Sequence, residues 1–339
     1  MKMPYIKKIL KLVFLLAIVI LITIITIVHK RRHWLLARKE EIYSKISYSR
    51  IENYLKLAQG FSNDQESKLT QRLPNAIIIG AAKCATTALL EFIAAHPNVV
   101  GNSSKEIYYF SSVNNYKKGQ EWYRQQMPYS NENQITIEKT PTYFTDLKSP
   151  ERVYKLNSKM KIIVIVCDPV VRCVSHYTHE KVNGKNWAIK SSLSKGMSDS
   201  EILKMLLLHG PDRLHSIPIF RDGFYYDHIQ NWLRYFPLSQ ILFINGQQLK
   251  QEPSVEIDKL QLFLNLEPLI KKEHFVYNET RGLYCIRNPI TSEVKCMDAD
   301  KGRKHPQIDT TILNDIKKLY RPYDQKLFNL INETPWWTL

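Results

Sequence analysis

One stretch constrains the fold of this chain more than any other: AIIIGAAKCATTALLEF, from Ala76 to Phe92. An apolar run ends at Gly80, and an apolar pattern of helical period begins near Thr86. Lys83, Thr86 and Thr87 lie at the junction. A strand that feeds a helix through a tight turn aims backbone amides at the point where an anion can sit. Lys83 adds a point charge there, and the two threonines add hydroxyl donors. The order GxxxxGK[ST] of a nucleotide triphosphatase loop is absent, and no second strand carries an obvious metal-binding aspartate. A purely structural turn with a lysine in it would read the same way, so further residues must decide the chemistry.

The rest of the chain repeats the alternation. NAIIIGA, QITIEKT, KIIVIVCDP and QILFING read as strands. Helices are expected from about Thr86 to Ala95, from about Val170 to Lys181, over GFYYDHIQNWLRYFP, and over PSVEIDKLQLFLNL with Pro253 at its start. Strands alternating with helices predict an α/β fold, a central parallel sheet covered by helices on both faces. Asn183 to Arg221 reads as an excursion from that sheet, and no internal repeat is visible. The simplest division gives a tail (1–8), an apolar segment (9–28), a polar stem (29–72) and one domain (73–339).

The segment from Ile9 to Val28 approaches the roughly 20 apolar residues that span a bilayer. HKRRHW follows it directly, without small residues at a cleavage site. It therefore reads as an uncleaved signal-anchor transmembrane helix. Lysines and arginines flank both sides, so charge leaves its orientation open. The net charge of +16 predicts a polyanionic partner. Of the five cysteines, Cys285 and Cys296 enclose a short polar stretch with a proline and read as a disulfide-closed hairpin or loop. Cys84, Cys167 and Cys173 sit among apolar patterns and read as buried thiols. No spacing suggests a metal site. Asn102, Asn278 and Asn332 stand in glycosylation acceptor patterns. With the anchor, these place the domain in the lumen of the secretory pathway and disfavour nucleic acid.

Chemistry-bearing residues recur near the predicted strand ends. KEIYYF contributes Glu106, EKTPTYF contributes Lys139, CDPVVRCVSHY contributes Ser175, and KGRKHPQID brings Lys301 to His305. Ligands of open α/β sheets bind at the carboxyl ends of strands. The ordered set AIIIGAAKCATTALLE, HPNV, WYRQQMPYS, EKTPTYFT, PERVY, DPVVRCVSHYT, QNWLRYFP, GLYC and KGRKHPQID resembles the heparan sulfate glucosaminyl 3-O-sulfotransferases of the Golgi. The resemblance runs from about Pro74 to Asp309 and extends in part to the related N-sulfotransferase domain.

The resemblance implies a P-loop-like sulfotransferase fold and a Golgi membrane protein of single-pass type II topology. The expected reaction moves a sulfuryl group from 3′-phosphoadenylyl sulfate (PAPS) to a glucosamine hydroxyl of heparan sulfate. The family's general base matches Glu106, and a lysine beside the transferring group matches Lys139. The phosphosulfate loop matches Lys83, Cys84, Ala85, Thr86 and Thr87. Ser175 matches a 3′-phosphate contact, Tyr277 is expected near the adenine, and Lys301, Gly302, Arg303, Lys304 and His305 match a loop that closes on the cofactor. Glu106, Tyr108, Lys139, Thr140 and Pro141 are expected to face the acceptor.

Four departures from the family pattern bear on specificity. Cys84 and Ala85 replace glycines, and Cys167 replaces an arginine that pairs with the 3′-phosphate, a place Arg172 or another cation could fill. Tyr108 and Ser111 replace a histidine and an aspartate. The position of sulfation, including N-sulfation, is therefore left open, as is a glycan-binding homologue with altered or lost activity.

Overall fold

The computed structural model describes residues 68–101, 105–184, 186–297 and 304–339. The expected anchor, nearly all of the stem, Asn102, Lys301, Gly302 and Arg303 lie outside the described residues. Among the described residues, no helix is long and apolar enough to cross a membrane.

The centre is a five-stranded parallel sheet. Its strands are β1 (Ala76–Gly80), β2 (Val99–Gly101), β3 (Ile135–Lys139), β4 (Lys161–Val166) and β5 (Ile241–Asn245), in the spatial order β2-β3-β1-β4-β5. Every residue of β1 is buried, as are Ile162 to Val166 of β4. Because alternate side chains point to opposite faces, both faces must be covered, which explains the unbroken apolar runs. Each fully buried isoleucine contributes roughly 1.5–3 kcal/mol relative to exposure, which makes these strands the anchor of the core.

Helix α1 (Thr86–Ile93) follows β1, and α2 (Pro169–Asn183) follows β4. Asp168 caps α2 by accepting from the Val170 amide at 2.8 Å, with Pro169 at the first helical position. Helix α3 (Tyr225–Leu233) precedes β5, and α4 (Pro253–Phe263) packs on α1 and β5. The four expected strands and four expected helices are all present, with helix ends shifted by a few residues. The edge strand β2 was not anticipated. A separate antiparallel sheet adds an unanticipated strand, β6 (Phe275–Asn278), to the disulfide-closed hairpin expected between Cys285 and Cys296, which is formed by β7 (Leu283–Arg287) and β8 (Val294–Lys295). It meets α1 through Phe92 against Phe275 and through an ion pair between Lys295 and Glu91.

The excursion forms short helices at Trp187–Ser194, Asp199–Leu207, Pro211–Leu214 and Pro218–Arg221. Ser198 and Glu201 form a reciprocal capping box at the second of these. Their apolar sides join Cys173, Tyr177, Phe224, Ile316 and Tyr320 in a second core cluster. That cluster is closed by α5 (Thr310–Ile331), a 22-residue helix that contains Pro322 and packs on α2 and α3.

The pairing of cysteines corrects the sequence expectation. Cys285 is bonded to Cys296, but Cys84 and Cys167 are bonded to each other rather than left as thiols. Cys173 is a buried free thiol. The sequence hid the second bond because its partners lie 83 positions apart and meet only through parallel strand pairing.

The chain end returns onto α5, where the Trp337 indole donates to Asp324 Oδ2 at 2.9 Å. Asp324 is 4% exposed, and burial pushes its carboxyl up to about 7, with Asp168 adding to the rise. Its folded value lies above its unfolded value, so its contribution to stability is full below about pH 4 and is lost as pH rises through about 7. Asp324→Asn keeps an acceptor for Trp337 and removes the titration. The variant should be more stable than wild type at pH 8 by up to about 4 kcal/mol and nearly equal at pH 4. Denaturant unfolding at both pH values checks this, and an unchanged pH dependence would refute it.

Candidate active site

The strand order reverses about β1. The chain leaves β1 for β2 and β3 on one side, then crosses to β4 and β5 on the other. A crevice at the carboxyl end of β1 follows from that reversal. Three segments converge there: the turn after Gly80, the turn after Lys139, and the end of β4 at Cys167.

Gly80 is fixed by close approach. A Cβ at this position would lie 2.5 Å from Phe144 Cβ and 3.1 Å from the Pro141 carbonyl oxygen. The Phe144 amide donates to the Ile79 oxygen at 2.9 Å, which holds the Pro141–Tyr143 turn against the end of β1. Beyond Gly80, Lys83 and Ala85 adopt φ of 75° and 69°. Left-handed backbone costs a residue with a side chain about 1–3 kcal/mol, so neighbouring contacts must hold this shape. Ala85 is the N-cap of α1 and supplies no side-chain bond, and the first turn has no acidic residue. The first amides and the positive end of the α1 dipole therefore face the same place as the Lys83 turn. Thr86 is buried, Thr87 and Lys83 are half-buried, and Ala85 is exposed.

Two histidines from other elements lie in the field of Lys83. His305 is exposed to solvent, but partial desolvation lowers its pKa, and the charges of Lys250 and Lys83 lower it further. Burial also drives His176 down to about 4, with Arg172 and Lys83 contributing and Asp222 opposing at 3.7 Å. His176 follows Ser175, which is half-buried on α2. The return of His305 to the field of Lys83 joins the end of the KGRKH segment to the turn. Lys304 is exposed. His176 and Lys250 were not singled out from the sequence: His176 stands beside Ser175 in CDPVVRCVSHY without a role assigned to it, and Lys250 lies in no motif. Arg172 cannot fill the place of the arginine missing at 167. It is fully buried and donates to the Ile219 carbonyl, with His176 Nδ1 at 3.2 Å.

Glu106 is built into a second network. Its Oε1 accepts from Lys139 Nζ at 2.8 Å and its Oε2 from the Tyr108 hydroxyl at 2.6 Å. The Lys139 side chain is 3% exposed and that of Glu106 31%, so the carboxylate reaches the surface while its cationic partner does not. The segment carrying Glu106 is pinned by Thr140, whose Oγ1 accepts from the Ile107 and Tyr108 amides at 3.1 and 3.4 Å. The same hydroxyl donates to Glu138 at 2.5 Å. Glu138 also accepts from Tyr123 at 3.2 Å, and burial pushes its carboxyl up to about 7. Pro141 is buried at the start of the next turn, and Ser111 Oγ lies 3.2 Å from Thr142 Oγ1. An aromatic stack of Tyr109 on Tyr123, 4.2 Å between centroids, supports the segment from below. Glu138 and Tyr123 were not singled out from sequence, and the burial that gives them their role is invisible there.

Other expected residues fall elsewhere. Tyr277 is on β6, 52% exposed, with its ring against Tyr284. Asn278 ends β6 and binds the Thr280 hydroxyl, and Asn332 is exposed at the end of α5. Among the described residues, no cluster of histidine, cysteine or carboxylate side chains could hold a metal.

The arrangement sets the Lys83 turn at the same sheet end as a carboxylate paired with a buried lysine. A family profile described as a sulfotransferase domain matches residues 73–330. The chain is 38% identical over 270 residues to heparan sulfate glucosamine 3-O-sulfotransferase 5 of Mus musculus, covering 79% of this chain and 75% of that protein. It is 34% identical over 269 residues to heparan sulfate glucosamine 3-O-sulfotransferase 3B1 of Homo sapiens, covering 79% and 66%. A solved sulfotransferase from Alicyclobacillus acidocaldarius shares the fold, with a TM-score of 0.55 and 18% identity, over 78% of this chain and 97% of that one. The chain is thus an enzyme of the sulfotransferase family and belongs, within it, with the heparan sulfate glucosamine 3-O-sulfotransferases.

Proposed function

We propose that this enzyme transfers a sulfuryl group from PAPS to the 3-hydroxyl of a glucosamine in heparan sulfate, with Glu106 as general base. The observation that carries this reading is the Glu106–Lys139 pair, 2.8 Å long, at the same sheet end as the Lys83 turn. The acceptor oxygen attacks sulfur while its proton passes to Glu106, and the bond from sulfur to the donor's 5′-phosphate oxygen breaks. Charge grows on that leaving phosphate, where Lys83, the α1 amides and Thr86 and Thr87 stabilise it. Lys139 holds the Glu106 carboxylate in place through their 2.8 Å ion pair. Tyr108, Thr140 and Pro141 shape the acceptor side. Ser175, Tyr277 and the segment from Lys301 to His305 are assigned to the rest of the donor. The net charge of +16 suits a polyanionic sugar chain.

The two disulfides suit an oxidising compartment. With the apolar segment 9–28, they support a type II Golgi membrane protein with its catalytic domain (73–339) in the lumen beyond a stem (29–72). Asn278 and Asn332 would then be open to glycosylation, as would Asn102.

Glu106→Gln should lower the transfer rate by about 10²–10⁴-fold, because the amide keeps the shape but takes no proton. Affinity for adenosine 3′,5′-bisphosphate should change by less than about twofold, since donor contacts stay in place. Labelled donor, heparan sulfate and disaccharide analysis supply the rate and the position of the new sulfate. Retention of most of the rate would move the base elsewhere, and sulfate on the amino nitrogen would replace the 3-O assignment.

His305 offers a second check. A bound phosphate favours the imidazolium and must raise a pKa that desolvation, then Lys250 and Lys83, now depress. Titration of the His305 ring by NMR should show an upward shift on adding the bisphosphate, and binding should tighten as pH falls from about 8 to about 6. An unmoved His305 would remove it from the donor site.

A further inference from the structure

The Cys84–Cys167 bond joins the anion turn to the end of the neighbouring strand. Cys84 is buried within the turn, and Cys167 directly follows β4. The turn needs a restraint, because Lys83 and Ala85 hold positive φ without being glycine. Backbone bonds contribute part of it: Ala81 donates to the Ile165 oxygen at 2.7 Å, and Cys84 donates to the Ala81 oxygen at 3.1 Å. Tyr225, buried on α3, lies beneath the link. Its hydroxyl donates to the Cys167 carbonyl at 2.9 Å and sits 3.3 Å from Cys84 Sγ.

We propose that the Cys84–Cys167 disulfide, seated on Tyr225, is a positioning device that holds the anion turn in its donor-binding shape. The inference rests on the reading above that this turn binds the phosphosulfate end of the donor. Without the bond, the turn samples backbone shapes in which Lys83 and the first amides of α1 no longer converge. The measured affinity then falls by the fraction of molecules still in the competent shape. Glu106 and Lys139 are held by separate contacts through Thr140 and β3, so the chemical step is preserved once donor saturates the enzyme.

A cross-link that merely stabilised the fold would behave differently. It closes an 83-residue span, so removing it lowers the melting temperature whatever else it does. Donor affinity must therefore be read at a temperature where melting curves show every protein folded. The Cys285–Cys296 bond, which closes 11 residues in the second sheet, is the internal control.

The full chain is compared as wild type, as Cys84→Ala/Cys167→Ala and as Cys285→Ala/Cys296→Ala, by calorimetry with adenosine 3′,5′-bisphosphate and by steady-state transfer. The first double variant should bind about tenfold or more weakly and raise the donor KM to match, with kcat within about twofold. The second should keep its affinity within about twofold. Should the first variant fail to fold, the second is treated with a dithiol, which gives two electrons and two protons to the Cys84–Cys167 bond and closes to its own disulfide. Peptide mapping confirms the two free thiols, and the same weakening is expected. Equal affinity with the bond closed and open, in folded protein, overturns the proposal. So does mapping that finds Cys84 and Cys167 free in untreated protein. If oxidised wild type fails to bind the bisphosphate at all, the donor-site reading itself falls, a result distinct from the other two.

Discussion

The register between β1 and β3, with Ile78 opposite Lys139, is the constraint on which the site depends. It ends both strands at the same edge of the sheet. The Lys83 turn therefore emerges beside the Lys139 turn, although more than 50 residues separate them in sequence. Gly80 tightens the junction, since the Pro141–Tyr143 turn and Phe144 occupy the space a side chain would need. A one-residue slip would turn Lys139 to the other face of the sheet and Glu138 toward the site. The alternation in ITIEK thus assigns two adjacent charged residues to opposite environments.

Those environments set what each residue can do. Lys139 is nearly inaccessible, and a buried ammonium without a partner is strongly unfavourable. Glu106 supplies the partner, so the orientation of the carboxylate follows from the burial of the lysine. Glu138, on the opposite side, has no cation bonded to it and is satisfied by hydroxyl donors from Thr140 and Tyr123. Thr140 links the two sides, because the hydroxyl that donates to Glu138 also receives the amides of the Glu106 segment. The catalytic-side loop is consequently held from the core and not from the surface.

Much of this was legible in the sequence, and the rest was not for definite reasons. Buried parallel strands appear as runs such as KIIVIV, and Asp168-Pro169 announces the start of α2. Burial of both sheet faces is what makes such runs readable. The long helix α5 was obscured by Pro322, which reads as a stop, yet Ile312, Ile316 and Tyr320 continue inward before it, and Leu327 and Phe328 after it. The antiparallel sheet lacks continuous burial, with Val294 and Lys295 exposed, so only the spacing of Cys285 and Cys296 marked its hairpin and nothing marked β6. The Cys84–Cys167 bond was misread because apolar flanks suggested packed thiols, while the contact that pairs them is tertiary. Glu106 and Lys139 could be named from motifs. Their 2.8 Å pairing and the role of Thr140 depend on how two loops meet, which no local pattern encodes.

Arg172 and Cys167 together show how charge near the end of β4 is arranged. An arginine at the strand end would present its guanidinium to a phosphate as a bidentate donor. Here that position holds a disulfide half, and the nearby arginine on α2 turns inward toward the Ile219 carbonyl. Its charge still reaches the crevice, since it lowers the pKa of His176. But a cation that acts through a neighbour contributes field without geometry, and field alone does not distinguish one phosphate position from another. On the proposed donor reading, the positional information resides in groups of fixed direction: the α1 amides, Lys83 and the hydroxyls of Thr86, Thr87 and Ser175. Fixed direction requires a fixed backbone, and the backbone at Lys83 and Ala85 is one that side chains disfavour. On the same reading, a covalent tie sits where the family resemblance expects a guanidinium, and rigidity of the remaining contacts would stand in for a direct anion contact.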